Sequence, residues 1–348
     1  MPTITLIPEE NKRKDYKIRI GKGIIKQIPK YLKKLHYSKY VIVTDMTVRK
    51  LYGIKLQKAL IENDLDVELL SFLSGEKSKN LKTIETLLDK MLGLGCDRNT
   101  CILALGGGVV GDIAGFLAST FMRGINFIQI PTTLLSMADS SIGGKTGVNT
   151  KSGKNLIGAF HQPVTVFVDI ETLSTLPENE LKNGYAEIIK MATIRNKSLF
   201  KFLEKNNDKI LKKDMRKLKK TIELSIRIKA DIVSRDTKEA GIRMILNYGH
   251  TYGHAIEKIS KYSILHGYAV SIGMCGINSI AVENKWMKQS HAARIEALLT
   301  KAGLPTKLPK KISASSLNKC IKSDKKRVND IQSYVIVPKI GTAAIVEM

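Results

Sequence analysis

The spacing of apolar residues along this chain changes once, near residue 172. Before that point short β-like runs, mostly apolar or β-branched, recur at 17–20, 40–44, 67–72, 100–105, 127–130 and 164–168. Five of the six end on a turn residue: Gly21, Asp45, Gly106, Pro131 and Asp169. Helical patterns separate these runs, so they predict the strands of a mainly parallel sheet covered on both faces. From 178 to 302 the apolar spacing is that of long helices. Two last runs, 334–338 and 343–346, predict a terminal hairpin. The expected fold class is α/β: a Rossmann-like parallel-sheet domain over 1–171, then a mostly α-helical domain over 172–348. A ligand is expected in the cleft between them.

With 348 residues, 43% of them hydrophobic, the chain can bury a sizeable core. No apolar run reaches the roughly 18 residues of a membrane span, so no membrane partner is expected. Residues 1–14 lack the pattern of a secretory leader. Cys96, Cys101, Cys275 and Cys320 contain no C-x-x-C pair, which fits a reducing cytoplasm. The formal charge is +25. The densest basic stretch, 201–230, keeps Leu211, Met215, Leu218, Ile222 and Ile226 at helical spacing. It predicts one amphipathic helix with a solvated basic face. Without basic–aromatic interleaving it predicts no nucleic-acid partner.

Gly106, Gly108 and Gly111 match G-x-G-x-x-G between the fourth strand and the next helix. Such a turn brings backbone amides close to a pyrophosphate. The usual acidic residue about 20 positions later is absent, since Gln129 and Ile130 stand there. A second Gly- and Ser-rich region carries Lys145, Lys154 and Asn155, expected on loops that hold an anion.

Three of the six histidines, His250, His254 and His266, fall close together. Arg243, Asn247, His250 and His254 are spaced 4, 3 and 4, one face of a continuous helix. A buried face of that composition requires a ligand or a metal. His250 and His254 have the spacing of a zinc pair, His266 is available as a third ligand, and Glu187 lies on an apolar helix one turn before Lys190. Two histidines and a carboxylate make a catalytic zinc set.

Five segments, 105–112, 130–147, 154–160, 184–190 and 246–257, occur in an order that resembles the 3-dehydroquinate synthases over nearly the whole chain. The resemblance implies a cytoplasmic homodimer using NAD and a divalent metal, zinc or cobalt. It implies conversion of 3-deoxy-D-arabino-heptulosonate 7-phosphate to 3-dehydroquinate and phosphate, on the shikimate route to aromatic compounds. It makes Glu187, His250 and His266 the metal ligands. Asp45, Glu76, Lys79, Gly107, Gly108, Val109, Asp112, Thr132, Thr133, Lys145, Lys154 and Thr175 would line the NAD site. Arg123 (reaching into the neighbouring subunit), Asp139, Lys145, Asn155, Lys190, Lys229, Arg243, Asn247, His254 and Lys325 would contact substrate. Of these, His254, Lys190, Lys145, Arg243 and Asn247 would be catalytic. Asn179 stands where many relatives carry Arg. The competing readings are a cyclase of an uncarboxylated sugar phosphate, a metal-dependent polyol dehydrogenase, and a basic nucleic-acid-binding protein.

Overall fold

The structure, a computed structural model, describes residues 15–322 and 333–347. Its centre is a six-stranded sheet formed by β1 (Lys17–Gly21), β2 (Lys39–Asp45), β3 (Val67–Phe72), β4 (Thr100–Gly106), β5 (Asn126–Pro131) and β8 (Thr165–Asp169). The order is β1-β8-β5-β4-β2-β3 and every pairing is parallel. The six runs read from the sequence all form strands, within one residue at either end. β4 is buried at every position, as a strand covered on both faces must be.

Successive side chains divide between the two faces. Val41, Val43, Ile102 and Ala104 pack under α4 (Leu81–Gly93) and α5 (Gly108–Thr120). Tyr40, Ile42, Cys101 and Leu103 pack with α1 (Ile28–Leu32) and α3 (Ile54–Ile61). A short helix, α2 (Met46–Val48), follows β2.

The helical part comprises α6 (Glu178–Arg195), α7 (Lys197–Leu211), α8 (Met215–Arg235), α9 (His250–Ile259), α10 (His266–Glu283), α11 (Gln289–Lys301) and α12 (Ala314–Lys322). The expected terminal hairpin is present as antiparallel β9 (Ser333–Lys339) and β10 (Thr342–Glu347). Val166, Val168 and Ile170 share one apolar cluster with Ile188, Ile189, Ile226, Tyr248, Val270 and Val335. The helices therefore pack directly on the sheet, and the clefts between the two parts are fixed by core contacts.

Three expectations are corrected. Residues 145–160 are not loops: β6 (Lys145–Thr150) and β7 (Gly153–Phe160) form an antiparallel two-stranded ladder. The basic stretch is not one helix but α7 and α8, separated where Asp214 caps the second by accepting from the amides of Arg216 and Lys217. The stripe from Arg243 to His254 is not one continuous helix. Arg243 and Asn247 lie on a 3₁₀ segment, Ile242–Asn247, and α9 starts afresh at His250 after Gly249 turns the chain at φ 77°.

Candidate active site

β2 connects outward to β3 on one side, while β4 lies on its other side. The strand order thus reverses between β2 and β4, and a crevice opens there at the carboxyl ends of the strands. The hydroxyl of Thr44 donates to the carbonyl of Leu105 at 2.7 Å and ties the two strand ends together. The ends of the sheet carry Asp45, which caps α2 by accepting from the amides of Thr47 and Val48. They also carry the turn Gly106–Gly108 and Thr132, whose amide donates to the carbonyl of Gly106 at 2.9 Å. Val109 follows in the first turn of α5. A Cβ on Gly107 would stand 3.1 Å from Thr133, and one on Gly108 3.1 Å from the hydroxyl of Ser140. Side chains there would fill the notch above the start of α5, whose amides have no side-chain cap. Such a cradle fits a dinucleotide pyrophosphate. Thr175 bonds the hydroxyl of Tyr52 across the crevice.

Beside this crevice three side chains able to hold a metal ion converge from three elements. Glu187 comes from the middle of α6, His250 from the first turn of α9 and His266 from the first turn of α10. His250 Nε2 and His266 Nε2 stand 3.8 and 3.7 Å from the same Glu187 oxygen, Oε1. The other nitrogen of each ring is engaged. His250 Nδ1 donates to the carbonyl of Tyr248 at 3.2 Å, and His266 Nδ1 meets Glu257 Oε2 at 3.1 Å. A carbonyl only accepts, so His250 carries its proton on Nδ1 and turns the Nε2 lone pair inward.

Glu187 is buried, yet neither of its carboxylate oxygens accepts a hydrogen bond among the described residues. Lys190 lies against it as an ion pair without hydrogen-bond geometry. A buried carboxylate with one oxygen, Oε1, unengaged and facing two imidazole Nε2 atoms fits a divalent cation. Desolvation, reinforced by the charges of Lys190, His266 and His254, holds the His250 pKa well below its ordinary value, so the ring is neutral and ready to ligate. His254 follows one turn later on α9, its ring 5.2 Å from that of His250.

Cationic side chains line the approach. Lys229 of α8 is buried and donates to both Asp139 Oδ1 and the Asp139 carbonyl at 2.7 Å. Burial would raise the Asp139 pKa, but Lys229 and Lys190 outweigh it and hold the carboxyl well below the ordinary range. Arg243 is buried against Gly143, where a Cβ would stand 2.6 Å from the guanidinium. It donates to the carbonyls of Thr237 and Gly143. Lys145 pairs with Glu239, which also accepts from Asn247 at 3.0 Å. Lys79 bridges Asp112 and Asn155 at 2.5 Å each. Lys154 lies between Glu257 at 2.9 Å and Glu76 at 3.5 Å.

The structure thus brings together Glu187, His250, His266, His254, Lys190, Asp139, Lys229, Arg243, Asn247 and Lys145. The chain Lys154–Glu76 and Lys79–Asp112–Asn155 leads from them toward the glycine turn. Arg123 is not among them. It is exposed, just past the carboxyl end of α5. That 13-residue helix puts it roughly 20 Å from the glycine turn. Lys325 lies outside the described residues. Two acidic residues escaped the sequence reading. Glu239 sits in a stretch without periodicity and left no signal. Glu257 continues the polar face of α9 three residues beyond His254, and that spacing could have marked it.

Comparison with known proteins agrees with this geometry. Residues 69–183 match the family model for the 3-dehydroquinate synthase N-terminal region, and residues 184–327 match that for the C-terminal region. A 3-dehydroquinate synthase of Prochlorococcus marinus is 44% identical over 346 residues, covering 98% of this chain and 94% of the relative. That of Desulforamulus reducens is 43% identical over 95% of this chain and 93% of its own. Among solved structures, a 2-deoxy-scyllo-inosose synthase complexed with carbaglucose-6-phosphate, NAD+ and Co2+ superposes with a TM-score of 0.88. It is 29% identical and the match covers 95% of this chain and 93% of that one. The 2-epi-5-epi-valiolone synthase of Streptomyces hygroscopicus, with NAD+ and Zn2+ bound, gives 0.89 at 27% identity over 99% and 94% of the two chains. An iron-containing alcohol dehydrogenase of Thermococcus thioreducens shares the fold alone, at 14% identity and a TM-score of 0.69. On its sequence over almost its full length, this chain belongs to the 3-dehydroquinate synthase family.

Proposed function

We propose that this chain converts 3-deoxy-D-arabino-heptulosonate 7-phosphate to 3-dehydroquinate and phosphate, with NAD and a zinc or cobalt ion resident in the cleft. The observation that carries the reading is the unengaged Oε1 of buried Glu187, faced by two inward imidazole nitrogens beside a row of buried cations. A metal held there would supply Lewis acidity toward a substrate hydroxyl, and NAD would supply a reversible hydride acceptor. Glu187, His250 and His266 hold that metal. The glycine turn with Asp45, Glu76, Lys79, Val109, Asp112, Thr132, Thr133, Lys154 and Thr175 lines the NAD crevice.

The rest follows from the charges this chain presents. Arg243 and Lys229 bind the substrate carboxylate, where the guanidinium fork matches two oxygens. Lys145 and Asn155 bind the phosphate. Asn247 and Asp139 orient substrate hydroxyls, and Lys190 bonds the hydroxyl nearest Glu187. His254 moves the hydroxyl proton. Arg123, remote from its own cleft, completes the phosphate site of a second copy, so the working form is a homodimer in the cytoplasm. The domains divide at residues 171 and 172.

The carboxylate distinguishes this reading from a cyclase of uncarboxylated sugar phosphates. The carboxylated heptulosonate phosphate should turn over and glucose 6-phosphate should not. Arg243→Lys, losing the fork, should raise KM for the heptulosonate by about 10-fold or more, the scale of one or two charge-assisted hydrogen bonds. Comparable turnover of glucose 6-phosphate, or an unchanged KM in the variant, overturns the assignment.

A further inference from the structure

Two buried glutamates lie within reach of the imidazole of His266, and they are used differently. Glu187 Oε1 is 3.7 Å from Nε2 and accepts no hydrogen bond among the described residues, while Oε2 carries only the ion pair with Lys190. Both Glu257 oxygens are taken: Oε2 by His266 Nδ1 at 3.1 Å and Oε1 by Lys154 Nζ at 2.9 Å. Although His254, Glu257 and His266 also come close enough to surround a cation, Glu257 has no oxygen to spare for one. Lys154 is held in turn by Glu76 Oε1 at 3.5 Å and by the face of Tyr262 at 4.5 Å. Glu76 Oε1 also accepts from Asn149 Nδ2 at 2.7 Å. The chain of contacts therefore runs from His266, on the helical part, through Glu257 and Lys154 to Glu76 and Asn149, on the α/β part.

We propose that Glu257 is the positioning residue of the metal centre: it fixes the Nδ1 proton and ring plane of His266 and, through Lys154, ties that ligand to the nucleotide side of the cleft. This rests on the metal reading given above. A carboxylate behind a ligating imidazole raises its basicity and sets its tautomer, and losing such a partner typically weakens metal binding 10- to 100-fold. Glutamine keeps the shape but serves one partner only. With its oxygen turned to His266, it presents its NH2 to the ammonium of Lys154.

The test measures Co2+ affinity, by competition with a chromophoric chelator, and the visible spectrum of the Co2+-saturated protein. Parental chain, Glu257→Gln and Glu187→Ala are compared, with circular dichroism to confirm folding. Glu257→Gln should bind Co2+ 10- to 100-fold more weakly and show shifted absorption bands at saturation. Binding within twofold of parental with an unchanged spectrum overturns the proposal. Parental-like binding by Glu187→Ala, or none by the parental chain, instead overturns the metal reading and the proposal with it. A measurement on the unaltered protein covers the case in which Glu257→Gln does not fold. With 15N-labelled histidine and zinc, His266 should show Nε2 ligation and a retained Nδ1 proton. Ligation through Nδ1 overturns the proposal.

Discussion

Glu257 is held far from its ordinary ionisation behaviour. Burial alone would raise its pKa, but the hydrogen bond and charge of His266, with the charge of Lys154, outweigh burial and bring it down to about 2. For His266, desolvation works to lower the pKa, but the hydrogen bond and charge of Glu257 prevail and raise it above 6.5. In the metal-free protein the carboxylate contributes stability that is present above its unfolded value of 4.5 and lost as pH falls toward about 2. The imidazolium contributes stability present below 6.5 and lost as pH rises through its raised folded value. The pair is therefore at full strength between about 4.5 and 6.5. Urea unfolding of the metal-free parental chain and Glu257→Gln should differ most in that window, and less on either side. A pH-independent difference contradicts the pairing. At this scale the sequence was informative wherever a polar residue stood on an apolar helix, as with Glu187. It was silent wherever partners were distant in the chain, as with Lys145 and Glu239.

The elements bring those residues together by close backbone approach. The start of α10 lies against α6 so tightly that a Cβ on Gly267 would stand 2.0 Å from the carbonyl oxygen of Asn183. That contact puts His266 opposite Glu187. Gly249, at φ 77° and packed against Met274, lets α9 begin at His250 in a new direction. Gly267→Ala should push α10 outward and cost about 1–3 kcal/mol, the usual penalty for overpacking, measured by denaturant unfolding. Metal affinity should fall with it. Unchanged stability and affinity contradict the account of this contact. The break at Gly249 was hidden because 4-3-4 spacing fits one helix, and the separate 3₁₀ segment depends on the positive φ of a single glycine. The β6–β7 ladder was hidden for a different reason. β6 is buried at three consecutive positions, Thr146 to Val148, with Val148 in the core under α5, while Leu156, Ile157 and Phe160 of β7 are exposed, and both strands carry glycine and lysine. A run of buried positions on one strand and of exposed positions on the other leaves no alternation to read.

For the whole molecule, the parallel sheet was legible because its four inner strands, β2, β4, β5 and β8, are buried on both faces and leave nearly continuous apolar runs. The position of the crevice was not, since strand order is set by pairing rather than by sequence order. A homodimer in which Arg123 completes the neighbouring site makes a direct prediction. Arg123→Ala and His250→Ala should each be inactive alone. Mixed so that subunits exchange, they should regain activity, because one of the two clefts then holds both residues. Continued inactivity of a demonstrated mixed dimer contradicts the shared site. The charge of +25 suits a substrate that carries both a carboxylate and a phosphate by raising its local concentration near the protein.

The central claim is a closed redox cycle that releases phosphate along the way, and one stoichiometry tests it most directly. The zinc-loaded protein with catalytic NAD is given 3-deoxy-D-arabino-heptulosonate 7-phosphate, while inorganic phosphate, 3-dehydroquinate and NADH are followed together. The account predicts phosphate and dehydroquinate in equal amounts, with no net NADH. NADH accumulating in proportion to substrate consumed, without phosphate release, would identify a dehydrogenase and contradict it.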